Sequence, residues 1–215
     1  MYIFSYMFSN FDMVIQRTLE HLFIFFLSWF LSSAIGIFIG IYITREKRKK
    51  YTNLALSITG ITQSIPSVAV IALIFLFMGI GKITAITALF LYGLVPIIFN
   101  TTSGIVSINS NIYEVAKGMG MSERDILYKI EIPIALPAIF SGLRNSAVIN
   151  IATATVASVI GGGGLGVIIF TGLSHYNAPM IFAGVVPVSI LAVGVDAFLG
   201  ALEKKYVSKG LINEI

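Results

Sequence analysis

The chain has 215 residues, 57% of them apolar and only 11% charged, with a mean hydropathy of +0.93; soluble proteins carry about a quarter charged residues, so this is membrane composition. No cysteine and only two histidines, His21 and His175, are present, which excludes disulfides, thiolate nucleophiles and cysteine metal sites and leaves little for a histidine-based one. The formal net charge of +4 does not point to nucleic acid, because the basic residues stand in short runs at the ends of apolar stretches, where they meet lipid headgroups.

The first apolar run, Leu22 to Thr44, is roughly 23 residues long, enough to cross about 30 Å of hydrocarbon as a helix. Asp12, Arg17 and Glu20 precede it and Arg45-Glu46-Lys47-Arg48-Lys49-Lys50 follows, a stop-transfer flank rather than a cleaved signal. Further spans are predicted at about 54–80, 83–108, 138–160 and 179–202. Pro66, Pro96 and Pro187 interrupt three of them, each freeing the carbonyl four residues earlier, at Thr62, Tyr92 and Ala183. Gln63 and Ser64 flank the first proline, and Asn100, Thr101 and Thr102 follow the second. These polar residues satisfy the freed backbone, line a pathway, or do both. Tyr92 offers an aromatic face to a quaternary ammonium by position alone.

The long polar stretch, 111–137, lies between the third and fourth spans. Glu114 to Lys117 is predicted as a short helix, Gly118 and Gly120 as a sharp turn, and Ser122 with Asp125 as a capping box opening a second helix that Pro133 ends. Mixed charges face out, and Ile126, Leu127 and Ile130 are there to bury.

In the fourth span Ser146, Asn150, Thr153, Ala157 and Gly161 recur at steps of four and three, a face of small and polar residues that avoids lipid. Close packing accounts for its small members; Asn150 and Thr153 are candidates to line a pathway. Arg144 and Asp196 stand inside the fourth and fifth spans at matching depths, on the order of 10 Å from the same membrane face. An unpaired charge there is costly, so a structural Arg144–Asp196 contact is expected rather than a proton relay. The run Gly161-Gly162-Gly163-Gly164-Leu165-Gly166 lacks the Lys of a phosphate-binding loop. It is expected as a flexible connection that breaks the fourth helix, on the side away from ATP.

The positive-inside rule puts 45–50, the loop with Lys117, Arg124 and Lys129, and the tail with Lys204, Lys205 and Lys209 in the cytoplasm, leaving Arg17 and Lys82 opposite. The N-terminus is then outside and the C-terminus inside. No internal repeat is visible, and an odd number of spans does not divide into two halves, so a pathway is expected to need two such chains.

The loop resembles the signature of permease subunits of bacterial ABC importers: Glu-Ala-Ala, three residues, Gly, nine residues, Ile, one residue, Leu-Pro. Here it stands as Glu114-Val115-Ala116, Gly120, Ile130 and Ile132-Pro133, with Val115 and Ile132 as apolar departures. The resemblance continues through Thr18, His21 and Leu22, then Gln63-Ser64-Ile65-Pro66-Ser67, the glycine run with Ile169-Phe170-Thr171-Gly172-Leu173, and Asp196 with Leu199-Gly200-Ala201-Leu202-Glu203. These look like permeases of osmoprotectant importers for glycine betaine, carnitine and choline; methionine permeases are the nearest alternative.

The resemblance implies an all-α polytopic bundle of five transmembrane helices with the type I, MetI-like importer core, a single domain over 1–215. It further implies a bacterial inner-membrane location and an ATPase-coupling loop carrying Glu114, Ala116, Gly120, Ile130 and Pro133. Expected partners are a second permease, identical or paralogous, two ATP-binding cassette subunits, an extracytoplasmic binding protein and membrane lipid, with no nucleic acid. The chain itself is then no enzyme and has no cofactor, ATP and Mg being bound by the partner subunit. An ion-driven carrier would call for buried acids near midspan, where only the off-centre Asp196 is available, and a non-transporting scaffold would not need the spaced loop pattern.

Overall fold

The computed structural model describes residues 2–45 and 49–207; Glu46, Lys47, Arg48 and Lys209, which enter the topology above, lie outside them. The described residues form helices α1 (Tyr2–Ser9), α2 (Phe11–Ile43), α3 (Lys49–Thr62), α4 (Ser67–Met78), α5 (Lys82–Val106), α6 (Ser110–Gly118), α7 (Glu123–Ile126), α8 (Ile132–Ala157), α9 (Leu165–Ser174) and α10 (Ala178–Tyr206). Four rods are long and apolar enough to cross a membrane: α2, α5, the stretch Glu123–Ile160 that contains α8, and α10. The pair α3 and α4, bent by 97°, makes a fifth crossing when counted as one span.

Small residues let the central helices approach. On α2 the buried stripe runs through His21, Ser28, Ser32, Gly36 and Gly40, and a Cβ on Gly36 would lie 2.9 Å from Ile97 of α5. Between α5 and α8, a Cβ on Gly104 would lie 2.6 Å from the Ala138 Cβ, and one on Gly142 would lie 3.1 Å from the Pro96 carbonyl oxygen. In lipid, where apolar association gains nothing from expelling water, such close contacts hold helices together. Ser146, Asn150, Thr153 and Ala157 of α8 all face this interior. Helix α10 packs on α8, α9 and α1, while α3 and α4 lean chiefly on α5.

The structure departs from the sequence reading at several boundaries. The helix of the first span, α2, begins at Phe11, not Leu22. Pro66 does more than kink the second span: it caps α4 in an extended conformation (φ −59°, ψ 133°) and the helix stops, since a residue preceding proline is pushed out of helical geometry. Pro96 and Pro187, by contrast, sit inside continuous helices.

Pro133 does not end the second loop helix. Residues Leu127–Glu131 widen into a π-helical turn, with the Ile132 N–H donating to the Leu127 carbonyl, and α8 follows directly. The widened turn takes up Pro133, whose missing N–H would otherwise interrupt a regular i→i−4 ladder. The loop and the fourth span are therefore one rod.

Candidate functional site

The polar loop folds as two helices around one glycine. Asn109 caps α6 by accepting the Asn111 N–H at 3.0 Å, and Ser122 caps α7 by accepting the Asp125 N–H at 3.2 Å. Between them Gly120 has φ +77°, a left-handed conformation that disfavours any side chain. Gly118 has no such need: it is the last helical residue of α6. Of the five loop residues singled out in sequence, Ala116 is buried, Ile130 half-buried, and Glu114, Gly120 and Pro133 are exposed. The outer face of α6 also presents Ile112, Val115 and Met119 to solvent, an apolar patch on an otherwise charged loop.

Beneath the loop lies a feature that sequence reading missed. Arg45, at the exit of α2, donates from Nη2 to Glu131 Oε2 and from Nε to the Ile41 carbonyl at 3.1 Å. Glu131 is only 6% exposed. Tyr113 of α6 lines the same cavity as this carboxylate, its hydroxyl donating to the Ile105 carbonyl at 3.5 Å; burial first, then the charge of Glu131, push its hydroxyl pKa up to about 12, so it stays protonated. These side chains line a cavity of about 370 Å³ under the loop together with Thr52, Glu114 and Glu123. The one local signal was a lone acid between Ile130 and Ile132; its partner stands 86 positions away.

A second cavity, about 720 Å³, opens between α5, α8 and α10 and is lined by Asn100, Ser141, Arg144, Asn145, Asp196 and Glu203 among others. Arg144 reaches Asp196 through Nε at 2.9 Å and Nη2 at 3.0 Å, and Glu203 through Nη1 at 2.9 Å. Glu203 thus completes a three-charge cluster, about two turns of helix beyond Asp196. Asn100 stands at this cavity with its amide on the Pro96 carbonyl at 2.8 Å.

The other pathway candidates are not brought together. Gln63 is exposed at the break between α3 and α4. Tyr92 donates its hydroxyl to the Ile65 carbonyl at 3.2 Å, tying that break to α5. Asn150 and Thr153 are buried within the chain, and Asn150 lies against α5, where a Cβ on Gly93 would meet its amide nitrogen. Polar residues on one helical face were legible, but burial by a neighbour was not.

The glycine run is a close-packed turn, not a flexible connection. A Cβ on Gly166 would stand 2.0 Å from the Thr155 carbonyl oxygen. The Gly164 N–H donates to Glu20 at 3.1 Å, so an amide that a phosphate would require already serves a carboxylate. Arg17 at 2.7 Å and Lys82 at 3.8 Å hold the same Glu20. His21 beside it is buried, with Nε2 3.1 Å from the Ile151 carbonyl. Among the described residues, no group of three or more His, Asp or Glu side chains is placed to hold a metal ion.

The model of the family described as "binding-protein-dependent transport system inner membrane component" matches residues 36–208. The chain belongs to that family. As a member it is a multi-pass inner-membrane transport component, a permease subunit. Among similar permeases, the glycine betaine/carnitine/choline transport system permease protein OpuCB of Bacillus subtilis is 40% identical over 94% of this chain and 93% of its own length. The carnitine transport permease protein OpuCB of Listeria monocytogenes is also 40% identical, over 92% of this chain and 90% of its own. The osmoprotectant import permease protein OsmW of Salmonella typhimurium is 36% identical over 96% and 97%. In fold, the permease resembles the MetNI methionine ABC transporter in an inward-facing conformation, with TM-score 0.80, 22% identity and coverage of 91% of this chain and 96% of that one. That likeness fixes the architecture, a type I importer permease core, and carries no substrate.

Proposed function

We propose that this permease forms half of the membrane pathway of an ATP-driven importer of small quaternary-ammonium osmoprotectants: glycine betaine, carnitine or choline. The observation that carries this reading is the 40% identity over 94% of the chain to a permease named for those three compounds. In this reading the N-terminus is outside and the C-terminus inside, which puts α6 and α7 in the cytoplasm and the glycine turn on the outer face. The apolar patch Ile112, Val115 and Met119, with Glu114 beside it, meets one of two ATP-binding subunits. That subunit binds ATP and Mg; the permease needs no cofactor of its own. The cavity walled by Asn100 and the Arg144 cluster is completed by a second permease, identical or paralogous. Cargo arrives from an extracytoplasmic binding protein, and the single domain 1–215 supplies crossing and coupling.

The test is uptake into proteoliposomes of the full complex. Labelled betaine, carnitine or choline is expected to accumulate with ATP while methionine is not; accumulation of methionine alone overturns the cargo. The turn is expected to be needed for coupling. Proline cannot adopt φ +77° and would remove the Gly120 N–H bond to the Lys117 carbonyl at 2.9 Å. Gly120→Pro should therefore leave the permease inserted and ATP hydrolysis running while uptake per ATP falls about tenfold or more. Unchanged uptake would remove the loop from the mechanism.

A further inference from the structure

Three parts of the permease that are far apart in sequence converge on one carboxylate. Glu131 ends the π-helical turn at the foot of α8. Arg45 brings the end of α2 to it, and Tyr113 of α6 lines the same cavity beside it while donating to the Ile105 carbonyl of α5 at 3.5 Å. Two other ion pairs, Lys117–Glu123 at 3.7 Å and Lys129–Asp125 at 2.6 Å, join loop residues to one another and are well exposed, where such pairs contribute little. A buried acid between two isoleucines is also an expensive way to fill space, since an apolar residue there would need no partner. The extra residue of a π turn rotates the helix beyond it, and such turns recur at functional positions. Here it sets Glu131 inward while Asp125 and Lys129 stay on the surface.

We propose that Glu131 is a positioning residue that locks α6, the end of α2 and the foot of α8 into one rigid body, so that a push on the loop moves the pathway helices. This rests on the reading of the loop as the ATPase contact. Without the joint, α6 would be held less firmly to the end of α2 and to the α7–α8 rod and could yield when pushed.

The sequence holds no cysteine, so Asn111→Cys on α6 and Phe38→Cys on α2, both exposed, can carry a pair of spin labels. In the assembled complex, the label distance is expected to be narrow and equal with and without trapped ATP. In Glu131→Gln it should broaden, and uptake per ATP should fall about tenfold while the ATPase subunit is still recovered. The swapped pair R45E/E131R should recover much of the loss that either single change causes. Tyr113→Phe, which keeps the ring and its packing, should lower uptake per ATP by about two- to threefold and serves where Glu131→Gln does not insert. A Glu131→Gln or Tyr113→Phe complex with unchanged uptake per ATP, or a swap no better than the singles, overturns the joint. Failure of the unmodified permease to recover an ATPase subunit sinks the coupling reading instead; the label distances in the permease alone still test whether Glu131 holds α6 to α2.

Discussion

At one end of the bundle Glu20 of α2 accepts the Gly164 N–H at 3.1 Å, with Arg17 and Lys82 around it; at the other end Glu131 accepts Arg45 and meets Tyr113. Each end is tied by a single acid, yet the ties differ in kind. At the glycine end the acid grips backbone, and the turn it grips is packed so closely that a Cβ on Gly162 would lie 2.7 Å from the Ala157 carbonyl oxygen. At the loop end the links are long side chains bordering a cavity of about 370 Å³. One end is closed by packed backbone, and the other is locked by side chains beside a cavity so that it moves as one body.

The sharpest way to break that contrast is to force volume into the glycine end. Gly166→Val puts its Cβ 2.0 Å from the Thr155 carbonyl oxygen and 2.5 Å from Ser158 Oγ. Backbone cannot move aside as a rotamer does, so the expected loss is about 3 kcal/mol, read as a lowered unfolding midpoint in detergent and poor accumulation in the membrane. A Gly166→Val permease of normal stability would mean that the turn has room to move after all.

The side-chain ties between α8 and α10 should be less sensitive, and differently so. Arg144→Met leaves Asp196 and Glu203 without their shared cation. The two carboxylates are 39% and 20% exposed to the cavity, so water softens the loss to about 1–2 kcal/mol. The triple variant R144M/D196N/E203Q, free of unpaired charge, should regain most of it in the same unfolding assay. Because Glu203 also grips Arg144, the reversal R144D/D196R leaves the new carboxylate opposite Glu203 and should rescue only in part. Full additivity of the single changes would show that the three groups are not coupled.

What the sequence made legible was local. Hydropathy marked the crossings, and charge with glycine spacing marked the two loop helices, because both signals repeat over a few residues. Helix starts and stops were less visible: α2 begins at Phe11, well ahead of its uncharged run, and Pro133 is absorbed by a π turn that no composition rule announces. The candidate site was half legible for the same reason. Arg144 and Asp196 could be matched by depth, since both stand as lone charges in apolar runs, whereas Glu203 sits among the tail's charges and gave no such cue. Arg45 looked like a headgroup contact in a basic cluster, and its pairing with Glu131 spans 86 positions. Asn150 and Thr153 had the right periodicity for a pathway, and both are buried within the chain.

The smallest predicted effect separates two glycines that look alike in sequence. Gly118 and Gly120 bracket the loop turn, and a Cβ on either would meet nothing within 4 Å, so crowding cannot distinguish them. Conformation does. Gly120 is left-handed at φ +77°, where a Cβ costs about 1 kcal/mol. Gly118 ends α6 in ordinary helical backbone, where alanine lowers the entropy lost on folding. Gly118→Ala should therefore raise the unfolding midpoint slightly, by a gain of about 0.3 kcal/mol at a fraying helix end, and leave uptake per ATP unchanged. Gly120→Ala should lower both. If Gly118→Ala instead impaired uptake without loss of stability, the ATPase contact would extend over that position, and the coupling surface would reach to the end of α6 and into the turn itself.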